Sequence, residues 1–148
     1  MPLVNIFLRE GTTPAFRRDV SLAVHRSMVA VLGIPEDDRF HHIHELSPDN
    51  VQTEPIAFGI PRGERTLAVQ MFFNPRPPEV KAALFAAVRD RLRDTAGVPE
   101  EDLFLCVVET AAENWWAAGR TVDPATGYDV RMSAAFTGGV NSLAEQGS

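Results

Sequence analysis

Gly33-Ile34-Pro35-Glu36-Asp37-Asp38-Arg39-Phe40 returns further along the chain as Gly97-Val98-Pro99-Glu100-Glu101-Asp102-Leu103-Phe104. The interval is 64 residues, and it holds on both sides of the motif. Upstream, Phe16, Val20, Ala23, Val24 and Met28 fall on Val80, Leu84, Ala87, Val88 and Leu92; downstream, Ile43 and Glu45 fall on Val107 and Glu109. The same interval sets Leu3 on Leu67 and Leu8 on Phe72. Apolar character is kept first at helical and then at strand spacing, which is the mark of a duplicated supersecondary unit. The copies run over residues 2–64 and 65–113, with a C-terminal extension over 114–148, all within one domain of 148 residues.

Each copy follows one pattern. Residues 3–8 read as a short strand, after which Thr13-Pro14 supplies an N-cap and a first-turn proline. Phe16, Val20, Val24, Met28 and Val31 then form an apolar helical stripe, which Gly33 and Pro35 bring to an end. Residues 39–46 are the second strand. In the second copy the strands are 66–73 and 103–110, and Pro78 opens a helix that Gly97 and Pro99 close. Strand, helix and strand joined by short loops form a βαβ crossover with parallel strands. Two of them predict an α+β fold, a four-stranded sheet with both helices on one face. Runs such as Leu67-Ala68-Val69-Gln70-Met71-Phe72-Phe73 are apolar at nearly every position, so the uncovered face predicts an oligomer. Residues 47–65 read as a long loop with a short strand around Ile56-Ala57-Phe58-Gly59-Ile60. The stretch after 113 reads as loop with short pairings that docks on a neighbour, with a disordered end at 142–148.

Composition narrows the function. There are 14 Lys and Arg against 20 Asp and Glu, a net charge of −6, so nothing neutralises a phosphate backbone and no nucleic-acid partner is expected. No apolar run reaches the ~20 residues of a membrane span, and the start lacks a secretion signal, so the expected location is cytoplasmic. The single cysteine, Cys106, rules out an internal disulfide and reads as a buried apolar residue rather than a nucleophile. His42 and His44 share one strand face while His41 points away, and two histidines without a third ligand do not make a metal site. Gly138-Gly139 precedes no convincing helix, so nucleotide binding has no support. No metal or cofactor is expected. The informative residue is Pro2: an initiator methionine before proline is removed by aminopeptidases, which leaves a chain that begins with a secondary amine.

Pro2-Leu3, Glu10-Gly11, the motif from Gly33 to Phe40, His44-Glu45, Pro75-Arg76, and Val108-Glu109 leading to Asn114 and Trp116 together resemble the tautomerase superfamily, with the closer match to its malonate semialdehyde decarboxylase group. The resemblance covers residues 2 to about 120. It implies a homotrimer with an active site around each amino-terminal proline, acting on a small oxo acid. In that reading Pro2 is the base or the nucleophile toward a carbonyl, Arg76 binds the substrate carboxylate, and Asp38 assists through a water or by polarising the amine. The chemistry is self-consistent, because an α-amino group titrates near ~7.7–8.0 and an apolar pocket lowers that value further.

Each assignment has a plainer counterpart. Asp102 occupies the place of Asp38 in the second copy, so an aspartate here can simply satisfy turn N–H groups. Arg76, which the 64-residue interval places on Thr12, can be a solvated loop arginine. Asn74 stands where the decarboxylase group has a second arginine, and its amide hydrogen-bonds without adding charge. Trp116 is the candidate apolar wall, with Trp115 as its rival and packing between subunits as the alternative for both. Ala118 replaces an aromatic residue of the group. The competing class is a non-catalytic oligomeric βαβ module that binds a metabolite or a protein.

Overall fold

The computed structural model describes residues 2–117 and 119–123. The readings made for Ala118, Gly138-Gly139 and residues 142–148 lie outside the described residues. The first compact unit spans residues 2–109 and the second starts at residue 110.

The first helix, α1 (Pro14–Leu32), begins where Thr13 adopts extended backbone and its Oγ1 accepts the Phe16 N–H at 3.1 Å. It ends at Gly33, whose φ of 68° lets its N–H reach the Val29 carbonyl at 3.1 Å. The second, α2 (Pro78–Ala96), ends in the same way at Gly97 with φ 63°. The paired glycines recognised in the repeat are therefore paired left-handed helix stops.

The sheet contains β1 (Leu3–Arg9), β2 (Phe40–Leu46), β5 (Leu67–Phe73) and β6 (Leu103–Glu109) in the order β2-β1-β5-β6. The outer pairs are parallel, and β1 pairs antiparallel with β5, Leu3 opposite Phe72 and Leu8 opposite Leu67. Between β2 and β5, a two-residue-stranded hairpin joins β3 (Ile56–Ala57) to β4 (Ile60–Pro61). The expected single short strand is thus folded back on itself.

The register corrects one part of the repeat. Phe40 pairs with Leu3, whereas its counterpart Phe104 pairs with Ala68. The opening strands therefore correspond at an interval of 65, which places Val4, Ile6 and Leu8 on Val69, Met71 and Phe73, all of them buried. Leu3 does not correspond to Leu67: Leu3 is half-buried and Leu67 is 1% exposed. Because side chains alternate faces, a one-residue offset exchanges the two sides of the strand. The second copy absorbs the difference ahead of its helix: Phe16 follows Leu8 by eight positions, whereas Val80 follows Phe73 by seven.

The core lies between the helices and one face of the sheet. Val20, Val24 and Met28 of α1 and Leu84, Val88 and Leu92 of α2 are fully buried against Val4, Ile6, Val69 and Met71. The other face carries Phe40, Phe104 and Val108 in exposed positions. Cys106 corrects another expectation: it is half-buried on that open face, not in the core, since Leu105 and Val107 take the inward positions of β6.

Among the histidines, His42 and His44 share the open face with their rings 6.5 Å apart, and His41 turns toward α1. The Nδ1 of His41 lies 3.0 Å from Ser21 Oγ, and its ring meets the edge of His25 at 5.9 Å. Burial, then the charges of His25, Arg39 and His42, lower its pKa to about 4.

Two tests follow from this packing. Leu84→Ala should lower stability by about 2–5 kcal/mol, read as a drop in urea midpoint with an unchanged slope. His41 stays neutral in the folded chain down to about pH 4, while the unfolded chain protonates it near 6.5. Its contribution is complete above pH 6.5 and declines as the pH falls toward 4, because there the unfolded state binds the extra proton. Urea midpoints measured across this range should fall on acidification, and His41→Gln should remove part of the slope.

Candidate active site

The antiparallel register runs the chain start alongside the end of β5. With Leu3 opposite Phe72, the preceding residue, Pro2, lies beside the point where β5 gives way to Asn74-Pro75-Arg76. Pro2 is buried. On the other flank, the parallel register of Leu3 with Phe40 brings the turn before β2 to the same end of the sheet. That turn carries Asp38, whose N–H donates to the Pro35 carbonyl at 3.1 Å.

Asp38 is 2% exposed. Its carboxyl is pushed above the ordinary value, chiefly by burial, against the opposing positive charge of the amino terminus of the unprocessed chain. Asp37 adds a further upward push, and His25 a small downward one. His25, 5% exposed on α1, braces the turn: its Nε2 lies 2.7 Å from the Glu36 carbonyl, which can only accept, so Nε2 carries the proton.

Asp102, 3% exposed, shows what the second copy does with the same residue. Its Oδ1 accepts the Gly63 N–H, on the segment leading into β5, and a Cβ on Gly63 would approach Oδ2 to 2.8 Å. The plainer reading, an aspartate satisfying backbone N–H, therefore describes Asp102. Asp38, by contrast, lies at the Pro2 end of the sheet.

Arg76 is half-buried, and its Nη1 donates to the carbonyls of Asn74 at 3.2 Å and Pro75 at 3.0 Å. Among the described residues, Nε and Nη2 make no hydrogen bond, which leaves one edge of the guanidinium for an anion. The loop itself is tied down by Glu109, whose Oε1 accepts the Arg76 N–H at 2.9 Å and Lys81 Nζ at 2.9 Å. Those two contacts, the Arg76 N–H first, hold the Glu109 carboxyl below its usual range.

The first copy has the same tie. Glu45 accepts from Arg17 at 3.0 Å, and Arg17 also holds the Thr12 carbonyl at 2.6 Å. Thr12 and Arg76 thus occupy matching, braced loop positions, and only the second carries a cation. Sequence reasoning paired Glu45 with Glu109 but gave Glu109 no part in holding Arg76. The missed signal was the second matching pair, Arg17 with Lys81, at the same interval.

Pro2, Asp38, Asn74 and Arg76 are therefore gathered at one end of the β2-β1-β5 strands. Trp116 belongs to the second unit, where β7 (Trp116–Ala117) pairs with β8 (Arg120–Thr121), and it is exposed. In that unit Asn114 Nδ2 donates to Thr110 Oγ1 at 2.9 Å.

Two family models, each described as tautomerase enzyme, match residues 2–59 and 38–116. The Bacillus subtilis (strain 168) protein named probable tautomerase YusQ is 28% identical over 116 residues, covering 78% of this chain and 91% of its own. Probable tautomerase YrdN of the same strain is 24% identical over 115 residues, 78% and 89% of the two chains. Among solved structures, FG41 malonate semialdehyde decarboxylase inhibited by 3-bromopropiolate superposes with a TM-score of 0.72 at 30% identity, over 77% of this chain and 87% of that one. A fused 4-OT described as a wild type symmetric trimer shares the fold at 21% identity, with a TM-score of 0.65 over 78% and 91%. The duplicated units, the antiparallel seam between them and a family match that spans more than half of the residues agree: the chain belongs to the tautomerase superfamily.

Proposed function

We propose that this chain, once processed to begin at Pro2, is a cofactor-independent enzyme that moves a proton on a small 2-oxo or 3-oxo acid. The observation that supports it is the convergence of a buried Pro2, a buried Asp38 and the braced Arg76 at one end of the sheet. A proline at the chain start carries a secondary amine. Burial favours its neutral form, and a carboxylate at Asp38, at the same end of the sheet, counteracts that effect, a balance suited to a base working near neutral pH.

In keto–enol conversion, the Pro2 nitrogen accepts the proton from the enol oxygen, and the ammonium so formed protonates the adjacent carbon as the carbonyl develops. Arg76 binds the carboxylate through its open edge, Asn74 hydrogen-bonds the carboxylate or the carbonyl, and Asp38 orients a water or holds the ammonium.

Decarboxylation is the second reading, favoured by the likeness to malonate semialdehyde decarboxylase. It requires the carbon–carbon bonding electrons to flow into an adjacent carbonyl as carbon dioxide leaves. With Asn74 in the place of a second cation, less positive charge is available at this end of the sheet. The open apolar sheet face, together with the trimers formed by proteins of this fold, supports a homotrimer.

Ketonisation of an arylpyruvate enol separates catalysis from a purely binding module. Pro2→Ala should slow it by about 10²–10⁴-fold, and equal rates for the two proteins would remove the catalytic reading. Intact mass provides a second check, since a retained Met1 makes the proline nitrogen an amide that cannot act as a base. Arg76→Ala should raise KM more than it lowers kcat. Glu109→Gln should raise KM in the same direction by a smaller factor, because it loosens the loop and leaves the guanidinium in place.

A further inference from the structure

One apolar cavity of the first unit lies away from Pro2. It has a volume of about 680 Å³ and lies at the opposite end of β1, between the open face of the sheet and the loop that carries the β3–β4 hairpin. The strand separates the two ends by roughly 20 Å at ~3.3 Å per residue. By the register, this end is the second copy's version of the candidate active site. Leu8 pairs with Leu67 here as the chain start lies by Phe73 there, and Phe104 takes the place of Phe40.

Two differences between the ends matter. Leu67, the 65-residue counterpart of Pro2, lies within the chain, so its nitrogen is an amide and offers no base. Arg9 stands at the 65-residue counterpart of Asn74, so this end has an arginine where the catalytic end has an amide. Arg62, from the loop, lines the same cavity. The Nε atoms of both arginines are buried, and neither makes a hydrogen bond or an ion pair among the described residues. Glu54, the acidic residue in the lining, is exposed. Burying guanidinium donors without acceptors is costly, and the chain leaves two of them beside an apolar wall of Phe7, Phe58 and Phe104.

Phe58 adds a further sign. It sits at the hairpin tip with φ 55°, next to Gly59 at 76°, a turn that favours glycine or asparagine, yet its side chain is 89% exposed. A bulky aromatic residue kept in left-handed backbone, without burial to offset the strain, suits a surface that is covered when something binds.

We propose that this cavity is a second, non-catalytic site for a monocarboxylate with an apolar aryl body. Arg9 and Arg62 hold the carboxylate, and the three phenylalanines hold the body. The planar fork of a guanidinium matches a carboxylate edge, and the volume suits a small organic acid.

The probe is trans-4-fluorocinnamate, which has no oxo group to react, followed by ¹⁹F NMR. Arg76→Ala disables the Pro2 end, so the bound signal in that protein should remain. Adding Arg9→Gln and Arg62→Gln should weaken binding at least tenfold, while Arg9→Gln/Arg62→Gln alone leaves enol ketonisation without the probe unchanged. Binding that is lost with Arg76→Ala and indifferent to the two glutamines would overturn the proposal. A crystal of the unaltered protein soaked in 4-bromocinnamate gives an answer free of any folding defect. Bromine density beside Arg9 and Arg62 supports the site; density only at the Pro2 end, or a neighbouring subunit seated in the cavity, overturns it.

Discussion

The antiparallel pairing of β1 with β5 is the contact on which the rest of the molecule depends. Each βαβ unit alone is a two-stranded parallel ribbon with one helix, too little to bury a core. Pairing the two opening strands joins the ribbons into one sheet and sets α1 beside α2, so that Val20, Val24 and Met28 meet Leu84, Val88 and Leu92 over a shared floor. Because that pairing is antiparallel, the start of one copy lies against the end of the other copy's opening strand. A chain terminus and a distant loop, Pro2 and Asn74-Pro75-Arg76, become neighbours for that reason alone.

Duplication also explains how the two ends of the sheet diverged without loss of fold. The scaffold contacts are retained in both copies: glycine helix stops at 33 and 97, and carboxylate ties through Glu45 and Glu109. The residues that differ stand on those ties. Asp102 is occupied by the backbone N–H of Gly63, whereas Asp38 is buried at the Pro2 end of the sheet. Thr12 faces Arg76 across the internal symmetry, and Arg9 faces Asn74. One end therefore combines Pro2, a buried carboxyl and one arginine. The other combines two arginines with apolar walls.

Much of this was legible in the residue order. The repeat, the helix stops, the strand–helix–strand pattern and the uncovered apolar face follow from spacing and from the chemistry of glycine and proline. The candidate site was legible as a set of residues, through the resemblance that Pro2, Asp38 and Arg76 carry. Less visible was the 65-residue correspondence of the opening strands. Leu3 and Leu67 are the same residue type, and only pairing reveals that they face opposite sides. The bracing by Glu109 and His25 was hidden for a related reason. Both act on backbone groups, the Arg76 N–H and the Glu36 carbonyl, whose positions no side-chain pattern records.

By itself, then, the sequence determined which segments form helices and strands, that the unit occurs twice, and which residue types are available for proton transfer and carboxylate binding. These are local properties, set by backbone propensity and by apolar period. Only the tertiary structure decided which of two equivalent aspartates lies at the Pro2 end of the sheet and which loop lies beside Pro2. It also left Arg9 and Arg62 over a cavity with buried donors. Those outcomes depend on strand direction and register, which arise from hydrogen bonds between segments more than sixty residues apart, and a one-residue change in that register moves a side chain from the core to the open face.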